Sequence, residues 1–122
     1  MDILKRLTNL ENEASAYGFK WENASQIVAQ IRSEIAEIEV HIKDKDRKKL
    51  QDEIGDLLHA AFSLCVFCNF DVCETLQNSI NKFERRFRAT QHLAQEQGLN
   101  DLNGQSFDKL MEFWNKAKER MG

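Results

Sequence analysis

Two pairs of acidic residues, each with a spacing of three, are the residues in this sequence best suited to chemistry. Glu34 and Glu37 form the first pair, and Glu53 and Asp56 form the second. With 20 acidic residues in 122 positions, such pairs also arise by chance, so their direction matters more than their presence. At roughly 100° per residue, Glu34 lies at the edge of an apolar stripe and Glu53 lies within an apolar helix face. Glu53 is therefore predicted to point into packed protein.

A buried carboxylate must be protonated, paired with a cation or bound to a metal ion. Four carboxylates on two antiparallel helices would repel one another unless a divalent cation lay between them. Oxygen ligands without His or Cys favour Mg²⁺, with Mn²⁺ as an alternative, over Zn²⁺. The sequence therefore predicts a metal site made of Glu34, Glu37, Glu53 and Asp56. Taken singly, Glu37 and Asp56 would more simply be solvated helix acids.

A basic run, Lys82 to Arg88, lies farther along the chain on a helical pattern. Lys82 and Arg86 border its apolar stripe, whereas Arg85 and Arg88 point farther toward solvent. Arg88 is interpreted as part of a solvated face, and the role of Arg85 is left open. A metal ion neutralises and bridges phosphate oxygens, and nearby cations balance the remaining charge. The combination of acids and bases favours a polyphosphate ligand.

Two tryptophans accompany these charges. Trp114 and Lys118 are one helical turn apart, and the default role of Trp114 is core packing, because it lies centrally on an apolar face. Trp21 lies between Lys20 and Glu22 in a predicted link, where it is a candidate for stacking on a nucleotide base.

The elements that must position these residues are all helical. Apolar spacing and capping residues predict five helices, covering about 2–17, 24–42, 46–68, 72–97 and 107–121. The link 43–45 is short, so the second and third helices should be antiparallel. No segment alternates with the period of a strand. The prediction is an all-α antiparallel bundle of about five helices with a four-helix core, forming a single domain over residues 1–122.

Composition excludes several classes of protein. The net charge is −3 and the pI is near 5.6, whereas a nucleic-acid binder normally has a basic excess. The longest stretch without Asp, Glu, Lys or Arg, residues 57–70, is shorter than the roughly 18 residues of a membrane span. The first six residues lack the apolar segment of a signal peptide. We therefore expect a cytoplasmic protein that binds neither nucleic acid nor membrane.

Taken together, the acidic pairs, the run from Asn81 to Arg88 and the link from Gly18 to Trp21 resemble the MazG-type nucleoside triphosphate pyrophosphohydrolases. The similarity covers about residues 17–118. It implies that the four acids bind Mg²⁺ and that Lys82 and Arg86 bind the substrate phosphates. Lys49, Trp114 and Lys118 match further nucleotide-site positions of the family, whereas Lys20 replaces its usual Asp.

The resemblance implies hydrolysis of a nucleoside triphosphate between the α and β phosphates, giving a monophosphate and pyrophosphate. Glu37, Glu53 and Asp56 would take part in catalysis, with either Glu37 or Asp56 accepting a proton from water. One alternative is a catalytically silent helical interaction module that retains the fold. Another is a pyrophosphatase restricted to one nucleotide, such as dUTP or a damaged base.

The third helix also predicts an oligomer. Its packed side holds Leu57, Ala60, Ala61, Leu64 and Cys68, yet Phe62 and Val66 lie on the opposite side. A helix that is apolar all round is buried on every side. A second copy in a homodimer, or in a dimer of dimers, would cover that face, and the family resemblance implies the same. The alternative is that the first or fifth helix covers Phe62 and Val66 within one chain.

Overall fold

Five α-helices account for most of the chain in the computed structural model, which describes residues 2–122. They are α1 (Ile3–Tyr17), α2 (Ala24–Lys43), α3 (Arg47–Phe67), α4 (Val72–Glu96) and α5 (Phe107–Met121). Residues 2–122 contain no β-strand. The predicted all-α, five-helix fold is confirmed, and the predicted helix ends agree with the observed ones to within about two residues.

The helix ends follow from local capping chemistry. The side chains of Asp2, Asn23, Asp46 and Ser106 each accept a hydrogen bond from a backbone N–H three residues later. Such bonds satisfy donors that have no partner inside the helix. At the start of α2, Gln26 accepts from the backbone N–H of Glu22 at 2.8 Å, one residue before the Asn23 predicted as its partner.

The turn between α2 and α3 fixes how these two helices face each other. It consists of residues 44–46, and Lys45 adopts a left-handed conformation with φ 61°. Because the turn is so short and the two helices pack along each other, they run antiparallel, as predicted. Helix α1 also contacts α3. α3 therefore packs against both α1 and α2.

The chain forms two compact units, one ending at Thr75 and the other running from Leu76 to Gly122. In the first unit, Ile27 is fully buried and Ala60 is buried. In the second unit, the buried core consists of Leu93, Phe113 and Ala117, against which Ala89, Leu99 and Leu102 pack. The assignment of residues 1–122 to a single domain stays a prediction.

The packed side of α3 differs in part from the prediction. Ala60 and Ser63 are the buried residues of this helix, whereas Ala61 and Cys68 are exposed. Leu57, Phe62 and Val66 are half-buried. Helical periodicity predicted that Ala61 and Cys68 would be buried, because it assumed one broad apolar face on α3. In the structure, α1 and α2 contact only part of that face.

None of the five helices is long and apolar enough to cross a bilayer alone. By length and composition, α3 and α4 meet the requirement only as a pair, with a bend of 113° between them.

Candidate active site

The packing of α2 against α3 brings the predicted acids into one cluster. Single carboxylate oxygens of Glu34, Glu53 and Asp56 lie within 4.8 Å of one another. Glu37, Glu53 and His41 form a second group, in which one potential ligand atom of each residue also lies within 4.8 Å of the others. Glu53 belongs to both groups and therefore lies at the centre of the cluster. All four acids that the sequence singled out thus face the seam between two antiparallel helices.

Glu34 is the most deeply buried acid of this cluster, with 8% of its surface exposed. Its Oε1 atom accepts a hydrogen bond from Gln30 Nε2 at 2.6 Å, but while the neighbouring acids are ionised no donor among the described residues reaches its buried Oε2 atom. An unpartnered buried carboxylate oxygen is costly unless a proton or a cation compensates it. The sequence predicted Glu53 as the more inward acid, yet Glu53 is half-buried, and Glu37 and Asp56 are exposed.

The pKa of Glu53 reflects the close approach of the other carboxylates in this cluster. It is raised from the usual 4.5 to about 7, first by a hydrogen bond with the carboxyl group of Glu34. Partial desolvation and the negative charges of Glu37, Glu34 and Asp56 add to this effect. In the absence of a cation, a proton on Glu53 relieves the repulsion and can be shared with Glu34. A bound divalent cation would displace that proton.

This pKa leads to a prediction for the metal-free protein. The unfolded chain binds fewer protons at Glu53 than the folded protein between pH 4.5 and about 7, so this contribution to the free energy of unfolding falls as the pH rises through that window. Thermal unfolding in a chelator should show the melting temperature of wild type declining relative to Glu53→Gln from pH 5 to 8. Adding a divalent cation at pH 8 should raise the melting temperature of wild type more than that of the variant. A difference that is independent of pH would contradict the raised pKa.

His41 adds a nitrogen atom beside the cluster. Its Nδ1 atom lies 3.2 Å from Asp44 Oδ2, and its side chain is largely buried. The pKa of Asp44 is lowered, mainly because the backbone N–H of Asp46 donates to it and also because His41 is close. Asp44 therefore stays ionised and orients the imidazole ring. The four acids dominate the donor set, which suits a hard divalent cation such as Mg²⁺ or Mn²⁺.

The predicted phosphate-binding cations lie in the second unit, on α4. Lys82 is exposed, whereas Arg86 is half-buried and donates from Nε and Nη2 to the carbonyl oxygen of Gly122 at 3.0 and 2.7 Å. Arg88 is exposed, donates to Gln91 and lies 3.9 Å from Glu84. Arg86 thus has a structural partner that the sequence did not reveal.

Trp114 is half-buried on α5, and its ring lies 5.8 Å from the ring of Phe83 in a tilted arrangement. This contact agrees with the packing role that periodicity gave it. Lys118 is exposed one turn farther along. In this unit the structure therefore supplies aromatic packing between α4 and α5, and the nucleotide role of Trp114 and Lys118 stays a prediction.

Lys49 and Trp21 belong to the first unit. Lys49 is exposed and its Nζ atom lies 4.0 Å from Asp46 Oδ2, near its own helix start. Trp21 is 37% exposed and lines a cavity between α1 and α3. The structure therefore leaves both side chains accessible to a ligand.

The chain is all-α and presents four carboxylates along the seam between two antiparallel helices. These are the features of a helical protein that binds a divalent cation through oxygen ligands. Residues 22–90 match the family model of the MazG nucleotide pyrophosphohydrolase domain, and the chain belongs to that family. The match spans both acidic pairs and the basic run of α4.

Curated relatives agree with this assignment. The chain is 32% identical over 115 residues to the nucleoside triphosphate pyrophosphohydrolase/pyrophosphatase MazG of Thermotoga maritima, covering 94% of the chain and 44% of the relative. It is 29% identical over 122 residues to the nucleoside triphosphate pyrophosphohydrolase of Escherichia coli strain K12, covering 98% of the chain and 46% of the relative. The chain thus spans less than half the length of these two relatives.

A second cluster of polar side chains in the first unit was not predicted from the sequence. Glu11 on α1 contacts His59 and Ser63 on α3, across separations of 48 and 52 residues. The spacing of His59 and Ser63 by one turn was visible in the sequence, but their acidic partner was not. Only the packing of α1 against α3 could identify it.

Proposed function

We propose that this chain hydrolyses nucleoside triphosphates between the α and β phosphates in a Mg²⁺-dependent reaction, releasing a nucleoside monophosphate and pyrophosphate. Membership of the MazG family supports this proposal, as does similarity to two nucleoside triphosphate pyrophosphohydrolases. The observation that carries it is the cluster of Glu34, Glu53 and Asp56, in which no donor among residues 2–122 reaches a buried oxygen of Glu34 while the acids are ionised. Such an oxygen is compensated when a cation binds.

In this proposal Glu34, Glu37, Glu53 and Asp56 hold the cation, and Mn²⁺ can replace Mg²⁺ because it accepts the same oxygen ligands. A divalent cation held by these residues would neutralise phosphate oxygens and lower the pKa of an attacking water molecule. Glu37 and Asp56 are the acids proposed to accept the proton of that water, because they are exposed, and the more enclosed Glu34 and Glu53 are proposed to keep the cation in position. The choice of base between Glu37 and Asp56 is left open.

The bond changes balance without a further reactant. The water oxygen bonds to a phosphorus atom beside the α–β bridge, the bridging P–O bond breaks, and the two products separate. Lys82 and Arg86 are proposed to bind the phosphates and to stabilise the negative charge that develops as the bond breaks. Lys49, Trp114, Lys118 and Trp21 are proposed as further substrate contacts.

A panel of ribo- and deoxyribonucleoside triphosphates, assayed with Mg²⁺ and scored separately for pyrophosphate and orthophosphate, tests this function. We expect pyrophosphate in equimolar amounts with the monophosphate, and none in the presence of excess EDTA. Release of orthophosphate as the first product would contradict the proposed bond. Turnover of a single nucleotide would indicate a restricted pyrophosphatase, and no turnover at all would favour a silent interaction module.

We also propose that the chain forms a homodimer or a dimer of dimers. Exposed apolar side chains support this: Ile35 and Ile42 are two turns apart on α2, and Ile54 and Leu58 are one turn apart on α3. Exposed apolar residues that recur along a helix face are candidates for an interaction surface. Val66, by contrast, lines the cavity beside α1, so α1 accounts for part of the face first assigned to a partner.

Light scattering tests the assembly. We expect a mass of at least twice 14.2 kDa, and Leu58→Asp should lower it toward that of the single chain because it places a charge in the apolar surface. A wild-type mass of 14.2 kDa at all accessible concentrations would contradict the dimer. The cytoplasmic location expected from the sequence stays a prediction.

A further inference from the structure

A cavity of about 820 Å³ lies between α1 and α3 in the first unit. Pockets of this size accommodate small organic ligands. Its walls are mostly apolar, with Leu7 and Leu10 from α1 and Val66 and Phe67 from α3. Neither the acids of the α2–α3 seam nor the cations of the second unit line it.

A compact polar group is built into one wall of this cavity. Glu11 Oε1 accepts a hydrogen bond from Ser63 Oγ at 2.6 Å and lies 2.8 Å from His59 Nε2. Because an ionised carboxylate only accepts hydrogen bonds, the imidazole must donate from Nε2. Ser63 is buried, with 6% of its surface exposed, so this end of the carboxylate is held in a fixed position. The other oxygen, Oε2, takes no part in these two bonds.

Two aromatic side chains also line the cavity. Phe19 and Trp21 come from the link between α1 and α2, and both line the cavity while remaining exposed. Flat aromatic rings with a free face stack on nucleobases, and every base offers a face for stacking. The cavity thus combines a stacking surface with a fixed hydrogen-bond acceptor, which is the usual pattern of a base-binding pocket.

The position of the cavity along α3 fits a nucleotide whose phosphates lie at the acidic cluster. His59 follows Asp56 by one turn and Ser63 follows it by two turns on nearly the same side of the helix. At 1.5 Å per residue, Ser63 is about 10 Å along the axis from Asp56. That distance is comparable to the reach of an extended nucleotide from its phosphate chain to its base.

We propose that this cavity binds the nucleobase of the substrate and that the carboxylate of Glu11 selects bases that offer N–H donors. A guanine edge offers two adjacent donors, N1–H and the 2-amino group, and both can converge on the Oε2 atom of Glu11, because Oε1 already accepts from Ser63 and lies against His59. Uracil offers a single donor between two carbonyl oxygens, which the carboxylate repels. This inference rests on the proposed function, because it takes the nucleotide as the ligand.

The first test compares GTP with ITP, which lacks only the 2-amino group. In the wild type, kcat/KM for GTP should exceed that for ITP by about tenfold, as expected for one charge-assisted hydrogen bond. Glu11→Gln should reduce this ratio to near one and should act on KM more than on kcat. Glu13→Gln is the matched control, because Glu13 lies on the same helix, is exposed and does not line this cavity. Glu11→Gln with an unchanged ratio would overturn the inference.

The second test does not depend on turnover. Binding of GMP in EDTA should quench tryptophan fluorescence, and Trp21→Phe should remove most of that quench although Trp114 remains. Binding without turnover would contradict the proposed hydrolysis and leave the base pocket in place. Turnover with neither a Trp21-dependent quench nor an effect of Glu11→Gln would leave the hydrolysis in place and contradict the pocket.

A second copy of the chain is the competing occupant of the cavity. If Glu11→Gln lowered the mass seen by light scattering and left the ratio of GTP to ITP unchanged, the cavity would be a contact between copies and the inference would be wrong. If Glu11→Gln and Trp21→Phe both keep the wild-type mass and Glu11→Gln abolishes base discrimination, the cavity binds the base.

Discussion

Glu53→Gln should lower kcat for nucleoside triphosphate hydrolysis by about a thousandfold or more, which corresponds to ~4 kcal/mol of transition-state stabilisation. Glu53 belongs to both groups of converging carboxylates, so no other single residue contributes to so much of the proposed cation site. Glutamine keeps the size of the side chain and removes its negative charge. Pyrophosphate release with saturating Mg²⁺ measures the effect, and isothermal titration with Mn²⁺ reports the loss of cation binding directly.

The fold should survive this change, because Glu53 is half-buried and its charge is repelled in the metal-free protein. Circular dichroism should therefore show wild-type helix content and, at neutral pH in EDTA, an equal or higher melting temperature. Asp52→Asn is the matched control: it removes one charge from the neighbouring, exposed position on the same helix and should retain near-wild-type turnover. Similar losses in both variants, or turnover near wild type in Glu53→Gln, would contradict the proposed site.

The second large effect concerns the cations of α4. Lys82→Ala should lower kcat/KM by about a hundredfold, the usual loss when a group that stabilises transition-state charge is removed. Arg88→Ala should change it little, because Arg88 is exposed and already interacts with Glu84 and Gln91. Steady-state kinetics over a range of ionic strengths separate a defined phosphate site from general electrostatic attraction. Equal losses at Lys82 and Arg88 would favour the general effect.

Arg86 requires a separate control, since its guanidinium group donates two hydrogen bonds to the carbonyl oxygen of Gly122. Arg86→Ala should therefore lower both turnover and thermal stability. Arg86→Lys keeps the charge and loses the paired geometry. If Arg86→Lys restored stability but not turnover, a phosphate role for the guanidinium would be supported; a turnover loss explained by unfolding alone would contradict it.

The features that the sequence predicted well are local ones. Helix starts at Asn23, Asp46 and Ser106 follow from a side chain that caps donors three residues away, so a short window contains all the relevant information. The acidic pairs on α2 and α3 were predictable for a related reason. The turn between these helices is short enough to dictate that they run back along each other.

Features that depend on packing between distant segments were not predictable. The contact of Glu11 with His59 joins residues 48 positions apart, and no spacing rule connects them. The burial of Glu34 depends on how closely α3 approaches α2. The helical periodicity of α2 alone gives no information about that distance. The engagement of Arg86 with Gly122 likewise required the path of α5.

The turn at Lys45 has a consequence for which changes of chain length this protein can tolerate. Glu37 and Glu53 each lie eight residues from Lys45, and Glu34 and Asp56 each lie eleven residues from it, so the acids are arranged as mirror positions about the turn. Surface loops ordinarily accept insertions and deletions. Here, one residue gained or lost inside the helical run between Lys45 and Glu53 would rotate the following acids by about 100° and shift them by about 1.5 Å. A single-residue insertion or deletion in this run of α3 should therefore separate the acids, whereas substitutions that preserve its length should be better tolerated.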